Sequence, residues 1–160
     1  MRIIVFIFCV VAPFIQSCSS DDGPRTVCTP VSVAAEDPII DAYIADNGLT
    51  MQTTASGLRY SIETPGTGDN IVLGDVIEVD YQGALLNGST FDQGTLGPAL
   101  FNQGSFIPGF EEGLQLLNEG AEGLFILPSS LGYGCFPPQG SIIGDNEILI
   151  FEITVVSINP

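Results

Sequence analysis

Four segments between Asp75 and Ile158 carry the residues whose types and spacing suggest chemistry: VDYQGALLNGSTFD, FIPGFEEGLQLL, LPSSLGYG and ILIFEITVVSI, in that order. The first three couple glycine-marked turns to aromatic rings, and the fourth sets Phe151 in an apolar run. The rest of the chain narrows what they can do. It has no histidine and no lysine, which excludes the Ser-His-Asp triad, histidine metal sites, Schiff-base chemistry and the phosphate loop ending in GK[ST]. Chemistry that transfers no proton stays open, and rotation about a bond is of that kind.

The elements that must hold these segments follow from periodicity. Residues 75–85 alternate, with Ile77, Val79 and Tyr81 on one face and Glu78 and Asp80 on the other, so Tyr81 should point inward. Asn87-Gly88 supplies a tight turn with positive backbone dihedrals before Thr90-Phe91-Asp92. After Pro108-Gly109, Phe110, Leu114 and Leu117 share a helical face with Glu111 and Glu112 in the first turn, which predicts a short helix from Phe110 to Asn118 closed by Gly120. Leu124 to Leu127 reads as a strand stopped by Pro128, and Glu147 to Ile158 as a long one with Leu149, Phe151, Ile153 and Val155 on one face. Upstream, Ile40, Tyr43 and Ile44 at helical spacing before Gly48 predict a short N-terminal helix within residues 36–56. Leu49 to Thr64, with apolar alternation around Gly57-Leu58-Arg59-Tyr60, reads as a strand entering a Pro65–Gly68 turn. The class is α+β, an antiparallel sheet burying one face against a short helix.

Nineteen acids against three arginines give a formal charge of −16, which repels nucleic acid and anionic membrane surfaces. Residues 1–17 read as a secretory leader, since the apolar stretch from Ile3 to Ile15 is shorter than the roughly 20 residues of a spanning helix. Ile15-Gln16-Ser17-Cys18 resembles a bacterial lipobox, which would make Cys18 the lipidated first residue of a protein anchored in the cell envelope at the outer membrane. An ordinary cleaved signal with a stray cysteine is the alternative. Residues 18–35 read as a tether. With Cys9 lost and Cys18 lipidated, Cys28 and Cys135 are left as an even pair in an oxidising compartment. Either they form a disulfide, stabilising by roughly 4 kcal/mol at most, or they are two unrelated small hydrophobes. No metal and no calcium loop are expected.

Taken together, the four motifs resemble the FKBP-type peptidyl-prolyl isomerases over residues 57–158, in a domain drawn at 57–160. The resemblance implies a curved antiparallel sheet wrapped around a short central helix, with an apolar pocket between them that holds a proline ring. It assigns Tyr81, Phe91, Asp92, Ile107, Phe110, Tyr133 and Phe151 to catalysis and Phe101, Phe106, Ile142 and Ile143 to substrate binding. Ile107 would offer a backbone N–H to the substrate carbonyl, Phe110 would replace the family's usual tryptophan floor, and Tyr133 would bond the peptide through its hydroxyl. Ala99 stands where the family often has a phenylalanine, which implies a more open wall. The implied partners are proline-containing segments of envelope proteins and macrolide inhibitors, without a cofactor, and a monomer is expected. A binding module without turnover, or a scaffold lipoprotein, is the rival reading. Each named aromatic taken alone reads as ordinary core packing.

Overall fold

The computed structural model describes residues 27–159. The leader, Cys18 and the tether up to residue 26 lie outside the described residues. Helix α1 spans Val33–Asp46. It starts three residues before the expected boundary because Val33, Ala34 and Ala35 extend the helix back to Ser32, whose extended backbone marks the N-cap. Gly48 follows with a φ of +63°, the left-handed conformation that ends a helix.

Six strands form one antiparallel sheet in the order β1-β2-β7-β8-β4-β5. They are β1 (Gln52–Thr53), β2 (Arg59–Thr64), β4 (Val76–Leu85), β5 (Thr90–Leu100), β7 (Glu122–Leu127) and β8 (Leu149–Asn159). A separate ribbon pairs β3 (Thr67–Asn70) with β6 (Asn118–Glu119). Helix α2 is Pro108–Leu114, and a 3-10 turn occupies Ser129–Leu131.

The long, glycine-containing β5 is an edge strand, where Pro98 interrupts no inner ladder. Its pairing with β4 shifts register between Ile77 and Val79 and again between Gly83 and Ala84, and β4 shifts against β8 between Glu78 and Val79. Such bulges raise local twist and bend a strand. Here they curve the sheet around α2.

Both faces of the sheet centre are covered, which explains why GLFIL in β7 is almost continuously apolar. On the concave side Phe110 and Leu114 of α2 meet Val79, Phe125, Leu127, Leu149, Phe151, Ile153 and Val155 in one core cluster. On the other side Ile40 of α1 packs with Leu124, Ile126, Ile148 and Ile150. Alternation along β8 thus divides Phe151 from Ile150. Arg59 pins α1 from beneath. Its guanidinium, largely buried, donates to Asp37 at 2.7 Å and to the Gly57 carbonyl at 2.8 Å.

Three local expectations change. Helix α2 ends at Leu114 rather than near Asn118, because the chain must turn to pair Asn118–Glu119 with β3. Gly120, with a φ of +78°, therefore serves the turn between β6 and β7 and not a helix end. The presumed turn at residues 65–68 runs directly into β3. In the β4–β5 turn only Gly88 takes a positive φ, and Asn87 instead accepts the Ser89 N–H through Oδ1 at 2.8 Å.

Candidate active site

A cleft of about 530 Å³ opens between the concave sheet face and the N-terminus of α2. It is lined by Tyr81 of β4, Phe91, Asp92 and Leu96 of β5, Ser105 to Pro108 before and within the first turn of α2, Phe110, Tyr133 and Phe151.

The floor is an aromatic cluster held edge to face, apart from the tilted Phe106–Phe110 pair. Phe110 contacts Phe151 with ring centroids 5.1 Å apart at 69°, Tyr81 at 5.9 Å and 80°, and Phe106 at 5.4 Å and 58°. Phe91 stands edge-on to Phe151 at 5.6 Å and 83°. These are the geometries that ring quadrupoles favour. Phe91 reaches its place because it is the extra residue of the bulge between Asp92, opposite Gly83, and Thr90, opposite Ala84. Gly83 makes room for it: a Cβ there would lie 2.5 Å from the Phe91 ring and 2.9 Å from Phe151. Gly109 plays the same part for α2, where a Cβ would lie 2.5 Å from Leu127 Cγ.

Polar groups are few. The Tyr81 hydroxyl donates to Asp92 Oδ2 at 2.9 Å. Partial burial raises the pKa of Tyr81, and the Asp92 hydrogen bond, the Asp92 charge and Tyr133 raise it further. Burial first, then the Asp92 charge, raises Tyr133. Both hydroxyls are therefore held neutral, as donors. Ile107 is the N-cap of α2 and Pro108 fills the first helical position, where its missing N–H costs nothing. The Glu111 carboxylate reaches back to accept the Phe106 N–H at 3.0 Å. Among the described residues, no hydrogen bond engages the Ile107 N–H. No group of three or more Cys, Asp or Glu side chains is placed to hold a metal among those residues either.

All seven residues assigned to catalysis line the cleft, together with Phe106. The other three substrate-binding assignments do not. Phe101 is 0% exposed, stacked behind Phe106 at 6.5 Å as core support. Ile143 is 6% exposed and joins the same core, while Ile142 is 57% exposed and off the cleft. Ala99 pairs with Ile77 and is not among the residues that line the cleft. The proline-rich loop after Tyr133 leaves the cleft clear, with Phe136 87% exposed. Sequence reading passed over Leu96, Ser105 and Pro108. Leu96 shares the parity of Asp92 along β5, a signal usable only once that glycine-containing segment is recognised as a strand.

Cys28 and Cys135 are joined in a disulfide, with Cα atoms 5.6 Å apart. The second cysteine follows Tyr133 by two residues.

The sequence profile of FKBP-type peptidyl-prolyl cis-trans isomerases matches residues 68–156, which span the cleft and more than half of the chain. The chain belongs to this family. A relative from Neisseria meningitidis serogroup B, named a probable FKBP-type peptidyl-prolyl cis-trans isomerase FkpA, is 38% identical over 122 residues, covering 74% of this chain and 44% of that protein. The protein of Legionella longbeachae named outer membrane protein MIP is 39% identical over 107 residues, covering 64% of this chain and 45% of its own length. The chain thus spans less than half the length of these curated relatives. Among solved structures, a peptidyl-prolyl cis-trans isomerase of Pseudomonas syringae superposes with a TM-score of 0.64 at 28% identity, over 82% of this chain and 99% of that one.

Proposed function

We propose that the cleft binds a proline-containing segment and speeds cis-trans rotation about its X-Pro bond. The observation that carries this reading is the convergence of Tyr81, Phe91, Asp92, Ile107, Phe110, Tyr133 and Phe151 on one apolar hollow that contains no strong base. The amide barrier, about 18–20 kcal/mol, comes from C–N double-bond character that is lost on twisting. The twisted amide is less dipolar than the planar one. A ring-walled cleft strips water from the planar form and suits the twisted form better, so rotation is accelerated by differential binding with no proton transferred. The Ile107 N–H and the Tyr133 hydroxyl are the donors offered to substrate carbonyls. Asp92 holds the Tyr81 hydroxyl and shapes the wall, and it is not a general base.

The substrates on this reading are exported proteins folding in the bacterial envelope, where proline isomerisation is slow enough to limit folding. The leader, the lipobox at Cys18 and the name of the Legionella relative support an envelope site, with lipid at Cys18 as the anchor and the outer membrane as its destination. Replacing Cys18 by Ala should release the protein from membranes into the soluble fraction, and unchanged membrane retention would remove the anchor from the account. A protease-coupled assay on Ala-Leu-Pro-Phe peptides tests the activity, with a macrolide inhibitor of the family as competitor for the cleft. Tight peptide binding with no acceleration would select a binding module instead.

A further inference from the structure

Three attachments join the N-terminal extension, residues 27–46, to the loop that carries Tyr133, although the extension lies outside the span matched by the family. One is the Cys28–Cys135 disulfide. Another runs through Asn146, whose side-chain amide donates to the Thr29 carbonyl at 3.0 Å while its N–H donates to the Gly134 carbonyl at 2.8 Å. The third is buried. Glu36 on α1, only 3% exposed, accepts the Ser129 N–H at 2.9 Å across 93 positions of sequence.

Ser129 passes that restraint on. Its carbonyl accepts the N–H of Gly132 at 3.0 Å and of Gly134 at 2.9 Å, the two residues that flank Tyr133. The Ser129 hydroxyl is buried and has no partner among the described residues, so on the Ser129 side the linkage is made by main chain alone. A carboxylate withdrawn from water is tolerated only against a donor, and the donor here is the backbone that frames a cleft residue.

We propose that Glu36 is a positioning residue for Tyr133, fixing Ser129 so that its carbonyl holds the Gly132–Gly134 turn and the tyrosine over the cleft. The kinetic consequence rests on the isomerase reading, whereas the structural one does not. In the full-length chain, Glu36→Ala should lower kcat/KM by about fivefold, the scale of one lost hydrogen bond. Glu36→Gln, which keeps a carbonyl acceptor, should recover most of the rate. In a Tyr133→Ala background, Glu36→Ala should cost nothing further.

Amide hydrogen exchange gives a readout independent of turnover. Glu36→Ala should speed exchange at Gly132 and Gly134 while leaving β4 and β8 amides unchanged. Ile44→Ala, which weakens α1 packing without touching the carboxylate, should not do so. The proposal is overturned by unchanged exchange at the two glycines, by uniform acceleration across the sheet, or by an Ile44→Ala variant that behaves the same. It is also overturned by a rate loss that persists undiminished without Tyr133. Should the wild-type chain fail to accelerate rotation, the isomerase reading falls and the exchange results alone decide the role of Glu36.

Discussion

Tyr81 and Asp92 lie on neighbouring strands in a diagonal relation, since Tyr81 is paired with Gly94 and Asp92 with Gly83, and the tyrosine hydroxyl donates to the carboxylate at 2.9 Å. Strand register therefore brings together Asp92, the only carboxylate lining the cleft among the described residues, and one of its two tyrosine hydroxyls. Removing either partner should loosen the wall without unfolding the protein. Tyr81→Phe and Asp92→Asn should each lower kcat/KM by about fivefold, as one partly exposed hydrogen bond warrants. A double-mutant cycle on peptide turnover checks this, and strictly multiplicative losses would show that the two residues act separately.

The Phe91 ring packs over Gly83, so a methyl group there must displace an aromatic. Gly83→Ala should destabilise the fold by about 1–3 kcal/mol through overpacking and should reduce turnover more than Phe91→Leu does. Denaturant unfolding alongside the peptide assay measures both. Full stability in Gly83→Ala would mean that the rings can shift freely.

A pH profile separates rotation by desolvation from acid-base chemistry. Burial and the Asp92 charge raise both Tyr81 and Tyr133 above the ordinary tyrosine value. Both hydroxyls thus stay protonated, and kcat/KM should be flat from about pH 6 to about pH 9.5, with tyrosine ionising normally near 10. The sign for stability is the same. A folded-state pKa above the unfolded value contributes stability that is complete below about pH 10 and is lost as pH rises through the raised value. A titration midpoint near neutrality in kcat/KM would point to a group this account leaves out.

The Cys28–Cys135 disulfide closes a loop spanning 107 positions. On chain-entropy grounds its loss should cost up to about 4 kcal/mol. Replacing both cysteines by serine and measuring denaturant midpoints gives the size. Thiol counting on the unreduced protein should find neither cysteine free.

Much of the cleft was legible because the ordered motifs resemble those of the family, and because the alternation of β4 and β8 turns Tyr81 and Phe151 to the same side. The steric duties of Gly83 and Gly109 emerge only from the structure. The Cys28–Cys135 disulfide was one of two readings the sequence left open, and the structure decides between them. What escaped depends on tertiary pairing. Strand β5 was obscured by Gly94, Gly97 and Pro98, which an edge strand tolerates but an inner strand would not, and Leu96 went unnoticed with it. Phe101, Ile142 and Ile143 share the apolar character of true lining residues, and only burial and direction separate core support, core and surface. Glu36 stands in the first turn of α1, where an acid suits a helix N-terminus. Its inward turn toward Ser129 could not be read from α1 alone.

The central claim is that an apolar, ring-walled cleft accelerates prolyl rotation without an acid or base. The most direct measurement is the protease-coupled isomerase rate of the full-length chain on Ala-Leu-Pro-Phe peptides, with and without a macrolide that competes for the cleft. The expected result is acceleration proportional to enzyme concentration, abolished by the macrolide and sharply reduced in Phe91→Ala. A correctly folded protein that leaves the uncatalysed rate unchanged would contradict it.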